Sequence, residues 1–234
     1  MQTNSSAIVL LLACAHGCIF PMWAVTKPHV ITLGVVRRVP YQPPDAAQKL
    51  TGEDALTLKV RALLVDGQQK EWTTGDTHEV TDRSFVVRRA LRLNDALPSD
   101  TVPHWVWQPG PWLQVDRSTG HITVLHLPDF DSLVSDAVWF RDYAAYCGVH
   151  TTAKTQTLNV IVAQLGARRV LIEQSLGKWD PAQHAHPACA PAQWQRTPVR
   201  VSIQPAGGQL LDFEIAGAAS TLVEENDPAP ENPQ

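Results

Sequence analysis

The chain has 234 residues and a formal net charge of -4, with 44% hydrophobic and 18% charged residues. This composition suffices for a hydrophobic core and excludes a wholly disordered chain. Because there is no basic excess to neutralise phosphates, a dedicated nucleic-acid binder is not expected. No apolar run reaches the roughly 18 residues that a membrane-spanning helix needs, so no transmembrane span is expected either.

The first 24 residues are typical of an export signal or an anchor. Residues 1–26 carry no charged side chain, and residues 7–15 read AIVLLLACA, an apolar run that ends in a small-x-small pattern. Cys14 follows Leu-Leu-Ala, which favours lipid anchoring as a variant of the same prediction. A buried first strand is the alternative. We therefore predict an exported protein, located in the periplasm, at the cell surface or outside the cell.

The opposite terminus predicts a disordered tail over residues 223–234. Residues 224–234 hold four acidic side chains and three prolines without any Lys or Arg. Such a composition favours solvated chain over a packed core. Between the two termini, residues 28–222 are predicted to form a single β-rich domain.

Two of the four cysteines, Cys147 and Cys189, lie in the body of the chain. In an exported protein, such a pair favours a disulfide. In a reducing compartment the same pair would be two buried thiols. The predicted Cys147–Cys189 bond therefore depends on the prediction of export.

Alternation of apolar residues indicates the first strands. Residues 56–65 read LTLKVRALLV, with apolar side chains at every second position. Asp66 and Gly67 follow, and this dipeptide predicts a type I′ hairpin turn with a return strand over residues 68–72.

A further strand is predicted over residues 85–93, where Arg89 interrupts the apolar face and Arg88 falls on the opposite face. A buried, unpaired charge would cost several kcal/mol. We therefore expect a β-bulge that rotates Arg89 outward, in preference to a buried arginine that needs a carboxylate.

Residues 104–127 and 136–163 align with one another around a shared Val-Trp pair. Both segments are interpreted as strand, turn, strand, loop and strand, with turns at residues 109–110 and 141–142. The pattern VxW…G…hxV resembles a blade of a β-propeller and covers about a quarter of the chain. This resemblance implies an incomplete or compact propeller. The main interpretation is a short antiparallel meander, because four regular blades of ~40 residues would not fit.

The remaining body continues the meander. Strands are predicted over residues 170–174, 197–203 and 209–215, with a hairpin turn at residues 207–208. The predicted fold class is therefore all-β, an antiparallel meander with short hairpins.

Few short helices are expected. Residues 44–50 are predicted to form two helical turns that begin with proline, and residues 129–136 one turn. Residues 180–194 are predicted to be a loop rich in Pro, Ala and His, without a strand.

No motif of known catalytic mechanics occurs in the sequence. The best metal candidates are Asp180, His184, His186 and Cys189, a nitrogen and sulfur donor set that suits zinc or copper. Cys189 cannot serve both as a thiolate ligand and as a partner of Cys147. Because we favour the disulfide, we predict a solvated connector at this loop, with no metal and no cofactor.

A second group of polar side chains consists of His121, His126, Asp129 and Asp131. His121 and His126 are five residues apart, so on a regular strand they point to opposite faces and are not expected to act together. Asp129 and Asp131 could share one face, but ordinary turn chemistry is the preferred interpretation.

The chain contains eight tryptophans, which are residues that serve both cores and binding faces. Trp107 and Trp139 take the same place in the aligned segments and are predicted to be core residues. Trp105 and Trp112 are freer to be exposed, and they are the candidate ligand-binding residues.

These observations predict an exported, non-catalytic β-rich module that binds a polymer, a peptide or an envelope partner of unknown identity. The alternative is an exported hydrolase or metalloprotein with a site in loops 128–136 and 180–194. An exposed aromatic strip would favour the module, whereas a pocket that gathers His, Asp and an activatable group would favour the enzyme.

Overall fold

The structure, a computed structural model, describes residues 28–41, 57–167, 170–180, 187–216 and 219–222. These residues form three antiparallel sheets built from hairpins and contain no helix, which confirms the all-β prediction. The predicted leader, the predicted helix at residues 44–50 and the predicted tail lie outside the described residues.

The first sheet has seven strands in the order β1-β3-β4-β5-β6-β7, and β2 pairs with the same edge of β3 as β1 does. Its strands are β1 (Ile31–Leu33), β2 (Arg37–Pro40), β3 (Thr57–Val65), β4 (Gln68–Thr81), β5 (Ser84–Asn94), β6 (Trp105–Asp116) and β7 (Ile122–Leu125). The sheet is strongly curled. An isolated bridge between Tyr41, just after β2, and Trp107 in β6 shows that the two sides of the sheet meet.

The second and third sheets have four strands each, in the orders β11-β10-β9-β8 and β12-β13-β14-β15. The second contains β8 (Val138–Phe140), β9 (Tyr143–Thr151), β10 (Gln156–Gln164) and β11 (Ile172–Lys178). The third contains β12 (Gln193–Arg196), β13 (Val199–Ile203), β14 (Leu211–Ala216) and β15 (Ala219–Leu222).

Local turn chemistry places three of the predicted hairpins correctly. Asp66 and Gly67 join β3 to β4 with φ angles of 53° and 77°, the positive values that a type I′ turn requires. Arg141, with φ of 53°, turns the chain between β8 and β9, and Gly207, with φ of 71°, does so between β13 and β14. The return strand β4 extends to Thr81, beyond the predicted residue 72.

The turn predicted at Pro109 and Gly110 is wrong, because both residues lie inside the continuous strand β6. Pro109 pairs with Ala90 of β5, and a register shift between Arg88 and Ala90 accommodates the proline in the strand pair. The opposite edge of β6 pairs with β7 only from Trp112 onward, so the missing N–H of Pro109 costs no bond of that ladder. The first aligned segment forms two strands, β6 and β7, whereas the second forms three, β8 to β10, so the alignment is not a structural repeat.

The bulge predicted near Arg89 is present, and the arginine that becomes buried is its neighbour. Arg89 is partly buried and donates from Nε to Glu71 Oε2 at 2.9 Å. Arg88 is only 6% exposed, although it lies on the face opposite Phe85 and Val87, as predicted. The reason is tertiary: the second sheet covers the outer face of the first.

Three cores stack the sheets into layers. The inner face of the curled first sheet encloses Phe85, Val87, Leu113 and Val115. A second core fills the space between the first and second sheets, and a third lies between the second and third sheets. Strand β9 shows this alternation directly, since its successive side chains enter the second and third cores in turn: Ala144 and Tyr146 enter the second, Ala145 and Cys147 the third.

The predicted disulfide is present between Cys147 in β9 and Cys189, whose Cα atoms are 6.2 Å apart. Both cysteines are buried. Cys189 also bridges to Pro205 beside the third sheet. The bond therefore ties the second sheet to the third across their shared core.

Two loop predictions need correction. Residues 180–194 are not wholly a loop, because Trp194 belongs to β12, where its Nε1 donates to the carbonyl of Val138 at 3.1 Å. Trp194 also stacks on Phe140 at 5.3 Å between ring centroids. Residues 129–136 form turns without a helix.

Candidate binding loop and candidate ligand cluster

The loop between β5 and β6, residues 95–104, exposes apolar side chains; we call it the binding loop. Leu97 is 66% exposed and Val102 is 71% exposed. The strand residues at its base follow the same trend, with Leu93 at 41% and Trp105 at 47%. Four of the nine large hydrophobic side chains that are exposed among the described residues thus fall within one thirteen-residue stretch.

Two polar side chains at the binding loop accept hydrogen bonds from its own backbone. Asn94 Oδ1 accepts hydrogen bonds from the backbone amides of Ala96 at 3.3 Å and His104 at 2.9 Å. Asp100 Oδ2 accepts one from the amide of Leu97 at 2.8 Å. Asn94 and Asp100 are themselves exposed, so these bonds hold the shape of the loop at the protein surface.

The base of the binding loop is closed by a paired contact. The amide of Asp95 donates to the carbonyl of His104 at 2.9 Å, and the His104 ring contacts the Asp95 carboxylate at 2.5 Å. Pro98 and Pro103 fix two φ angles within the loop. These constraints hold the loop in one shape before any partner arrives.

Trp105, one of the two predicted ligand-binding residues, stands at the end of this surface. The Arg92 guanidinium lies 4.6 Å from its ring centroid, a cation–π contact. Nearly half of the residue remains exposed. Trp105 is therefore placed to extend the apolar surface of the binding loop.

Trp112, the other predicted ligand-binding residue, is only 8% exposed, so the expectation of an exposed ring is wrong. It packs edge-on against Trp139 at 5.5 Å, beneath the second sheet. The alternation along β6 does not indicate whether Trp112 is covered, because the sequence of one strand cannot reveal that a second sheet packs on its outer face. Of these two tryptophans, only Trp105 is exposed enough to contact a partner.

Arg88 joins the first sheet to the chain that precedes β8. Its Nη1 donates to Asp136 Oδ1 at 2.6 Å, and its Nε donates to the carbonyl of Gly110. The guanidinium lies 5.6 Å from the Trp112 ring and 5.1 Å from the Phe130 ring. Burial lowers the pKa of Arg88, and the charge and hydrogen bond of Asp136 oppose that shift. This arrangement is a structural junction rather than an open site.

The histidine loop that the sequence offers for a metal is only partly described. Cys189 is bonded to Cys147 and is therefore not a free thiolate. Asp180 is partly exposed just after β11, whereas His184 and His186 lie outside the described residues.

The second predicted group does not act as a unit. His121 lines a cavity with Lys70 and Glu71 at the mouth of the curled sheet, and His126 lines a different cavity beneath the second sheet. Asp131 Oδ1 accepts a hydrogen bond from the amide of Leu133 at 2.9 Å, which is turn chemistry.

Asp129 instead meets two residues that sequence reasoning missed. Ligating atoms of Asp129, His150 and Glu173 all lie within 4.8 Å of one another; we call these three residues the ligand cluster. His150 Nδ1 and Asp129 Oδ2 are 2.9 Å apart. The three residues come from a loop, β9 and β11, so no spacing within one element could have revealed them.

Gly148 explains how Asp129 comes so close to the second sheet. A Cβ atom at position 148 would lie 2.5 Å from the carbonyl oxygen of Asp129. That carbonyl accepts a hydrogen bond from the amide of Val149 at 2.9 Å. The absent side chain lets the loop lie directly on β9, and it places the Asp129 carboxylate beside His150.

Two buried polar side chains lie beneath the ligand cluster. Asn159 is 5% exposed; its Nδ2 donates to Glu173 Oε1 at 3.1 Å, and its buried Oδ1 has no hydrogen-bond partner. Tyr146 donates to the carbonyl of Pro128 at 2.7 Å. Burial raises the pKa of Tyr146, and the charges of Asp129 and Glu173 raise it further.

Comparison with known proteins returns no match: no family model, no curated protein and no solved structure resembles the chain. Among the described residues, no helix is long and apolar enough to cross a membrane. Function is therefore inferred from the geometry of the binding loop and the ligand cluster.

Proposed function

We propose that the protein is an exported, non-catalytic binding module that docks a partner protein, associated with the cell envelope, through the binding loop. The single observation that carries this proposal is the group of exposed apolar side chains on a loop whose shape is held by its own hydrogen bonds. Leu97 and Val102 face solvent while Asn94 and Asp100 bind the loop's own backbone. Exposed apolar groups on a well-held loop favour recognition over solvation.

The chemistry of the exposed side chains favours a protein partner over a sugar polymer. Leu97 and Val102 are aliphatic and offer no hydrogen bond, and the nearby carboxylate of Asp100 is already engaged. Sugars stack on aromatic rings, but the Arg92 guanidinium already lies over the Trp105 ring. An apolar pocket on a protein would instead bury all three side chains, each worth roughly 1.5–3 kcal/mol.

The fixed shape of the binding loop supports the same conclusion. Ordering a flexible loop on binding costs about 0.5–1.5 kcal/mol for each immobilised side chain. Here the hydrogen bonds of Asn94 and Asp100 and the closed base at Asp95 and His104 already order the loop. More of the gain from apolar burial therefore remains as affinity.

Export is supported by the Cys147–Cys189 disulfide, since such bonds persist mainly in oxidising compartments. The apolar run at residues 7–15 agrees with this interpretation. Intact-mass analysis of protein from the native host tests export: we expect a chain that lacks the first ~15–25 residues or carries a lipid. A soluble cytosolic product that retains Met1 would contradict it.

Docking is tested by photo-cross-linking in the native host. A photoreactive residue replaces Leu97, and the matched control carries it at Val35, which is also apolar and is 86% exposed. We expect a discrete protein adduct from position 97 that is absent from position 35 and is lost when Trp105→Ala is added. Identical adducts from both positions, or adducts insensitive to Trp105→Ala, would contradict the proposal.

A further inference from the structure

The ligand cluster brings together two carboxylates and one imidazole where the loop before β8 meets the second sheet. Asp129 is partly buried, and His150 and Glu173 are exposed at its rim. Among the described residues, these three form the one group of His, Cys, Asp and Glu side chains close enough to share an ion. None of the three belongs to the binding loop, so a role for the ligand cluster is independent of the proposed docking.

Separations within the ligand cluster are close to those around a small divalent ion. Two ligands at right angles around an ion with bonds of about 2.1 Å lie about 3.0 Å apart. His150 Nδ1 and Asp129 Oδ2 are 2.9 Å apart. All three ligating atoms lie within 4.8 Å of one another, so the exposed Glu173 carboxylate would have to move inward by roughly 1–2 Å to bind the same ion.

The buried side-chain oxygen of Asn159 is not explained by hydrogen bonding within the ligand cluster. Its carboxamide is buried and bound to Glu173, yet Oδ1 has neither a protein donor nor access to solvent. An unsatisfied buried acceptor costs roughly 1–3 kcal/mol. Rotation of the carboxamide by 180° would turn Oδ1 toward Glu173, and a cation held there would give this oxygen the electropositive partner that it lacks.

From this geometry we propose that Asp129, His150 and Glu173 bind one divalent transition-metal cation of the zinc and manganese class, with Asn159 Oδ1 completing the ligand set. An imidazole among oxygen donors suits Zn²⁺ or Mn²⁺, whereas Ca²⁺ and Mg²⁺ prefer oxygen ligands alone. The bound ion fastens the loop that carries Asp129 to β9 and β11. Its role is to stabilise that junction.

A plain His–Asp ion pair is the competing explanation, and the chain contains a matched example. His104 and Asp95 are 2.5 Å apart and both are exposed, but no third ligating side chain joins them among the described residues. Exposed ion pairs contribute about 0–1 kcal/mol and show no preference for a metal. A comparison of the His150–Asp129 and His104–Asp95 pairs therefore distinguishes metal binding from an ordinary ion pair.

The test is calorimetric titration of the full chain, stripped with a chelator, with ZnCl₂, MnCl₂, CaCl₂ and MgCl₂ in turn. We expect one Zn²⁺ or Mn²⁺ per chain, with at least tenfold weaker binding for His150→Gln and for Glu173→Gln. His104→Gln should leave the affinity unchanged. Circular dichroism of each variant checks that the fold is retained.

Asn159 is tested by a pair of substitutions. Asn159→Ala removes the proposed oxygen ligand and should weaken Zn²⁺ binding at least tenfold, while Asn159→Asp supplies a charged oxygen ligand and should tighten it. If the alanine variant does not fold, the aspartate variant still decides the point, because a carboxylate outside the ligand set would not tighten binding. Unchanged affinity in both variants would remove Asn159 from the site.

Binding that is lost in His184→Ala/His186→Ala but kept in His150→Gln would overturn the proposal and assign the metal to the histidine loop. Equal loss in His104→Gln and His150→Gln would also overturn it, since it would show nonspecific capture by exposed histidines. No heat with Zn²⁺ or Mn²⁺ at millimolar concentration, with the fold intact, would exclude the site.

Discussion

Two loops of the same molecule treat apolar side chains in opposite ways. The binding loop exposes Leu97 and Val102, and its shape is held by hydrogen bonds from its own backbone to Asn94 and Asp100. The loop between β7 and β8, residues 126–137, here called the covering loop, packs Phe130 and Val134 into the cores and turns Asp129 toward neighbouring strands. The difference lies in what surrounds each loop, because the covering loop runs between two sheets whereas the binding loop extends beyond the end of one.

Neighbouring backbone explains why the covering loop is held by other elements. Strand β8 pairs with β9 only as far as Ala145, so the rest of that edge needs partners. Ser135 supplies them, accepting from the amide of Cys147 and donating to its carbonyl at 2.9 Å each. The covering loop therefore supplies hydrogen-bond partners to a strand edge, whereas the hydrogen bonds of the binding loop lie within that loop and its base.

The largest expected effect comes from cutting the disulfide beneath the covering loop. Cys189→Ala opens a cross-link between residues 42 positions apart, and the chain-entropy model gives a loss of about 4 kcal/mol in the free energy of unfolding. The amide of Ala188 donates to the carbonyl of Val134 at 2.7 Å, so the covering loop should loosen as well. Chemical denaturation with and without reductant measures the loss, and equal midpoints would contradict it.

A somewhat smaller effect is expected from Arg88→Ala, which breaks the junction between the covering loop and the first sheet. The substitution removes the hydrogen bonds to Asp136 and Gly110 and the packing against Phe130. Because the Asp136 side chain is 68% exposed, we expect about 2–3 kcal/mol rather than the full cost of a broken buried pair. Arg92→Ala beside the exposed Trp105 is the control and should cost less than about 1 kcal/mol by urea denaturation. Similar losses in the two variants would contradict the junction.

Gly148→Ala should separate the covering loop from β9. The added methyl group meets the carbonyl of Asp129, and overpacking of this kind costs about 1–3 kcal/mol. The cross-peaks of Asp129 and His150 in an NMR spectrum should shift as the loop is displaced. Gly34→Ala, whose Cβ would make only ordinary contacts, is the control. Spectra and stability unchanged by Gly148→Ala would show that the loop does not rest on the strand.

The smallest effect on stability is expected in the binding loop. Leu97→Asp replaces a side chain that is already exposed, so the free energy of unfolding should change by less than about 0.5 kcal/mol. The same substitution should abolish partner capture, because it places a charge in the apolar contact. A large loss of stability would mean that Leu97 packs within the molecule, and it would remove the contrast between the two loops.

Sequence reasoning succeeded where one or two residues decide the structure. Asp66 and Gly67 can both adopt positive φ, so their hairpin needs no distant information. The pair Cys147 and Cys189 had no competing partner in the body of the chain, and the bond is present.

It failed where a distant segment decides. Pro109 and Gly110 have the composition of a turn, but pairing with β5 keeps them in a strand. Arg88 is buried by a sheet that comes later in the chain, and the ligand cluster joins residues from three separate elements. Neither kind of proximity is encoded in local periodicity.

The order of strands in the first sheet has a consequence for how the chain folds. From β3 to β7, each strand pairs with the one immediately before it. Short loops close at little entropic cost, and contacts between sequence neighbours form quickly. A chain that emerges amino terminus first can therefore add these hairpins one after another, without waiting for the carboxyl-terminal half. The Cys147–Cys189 bond can close only after every strand of the first two sheets has emerged, because all of those strands precede Cys189 in the chain.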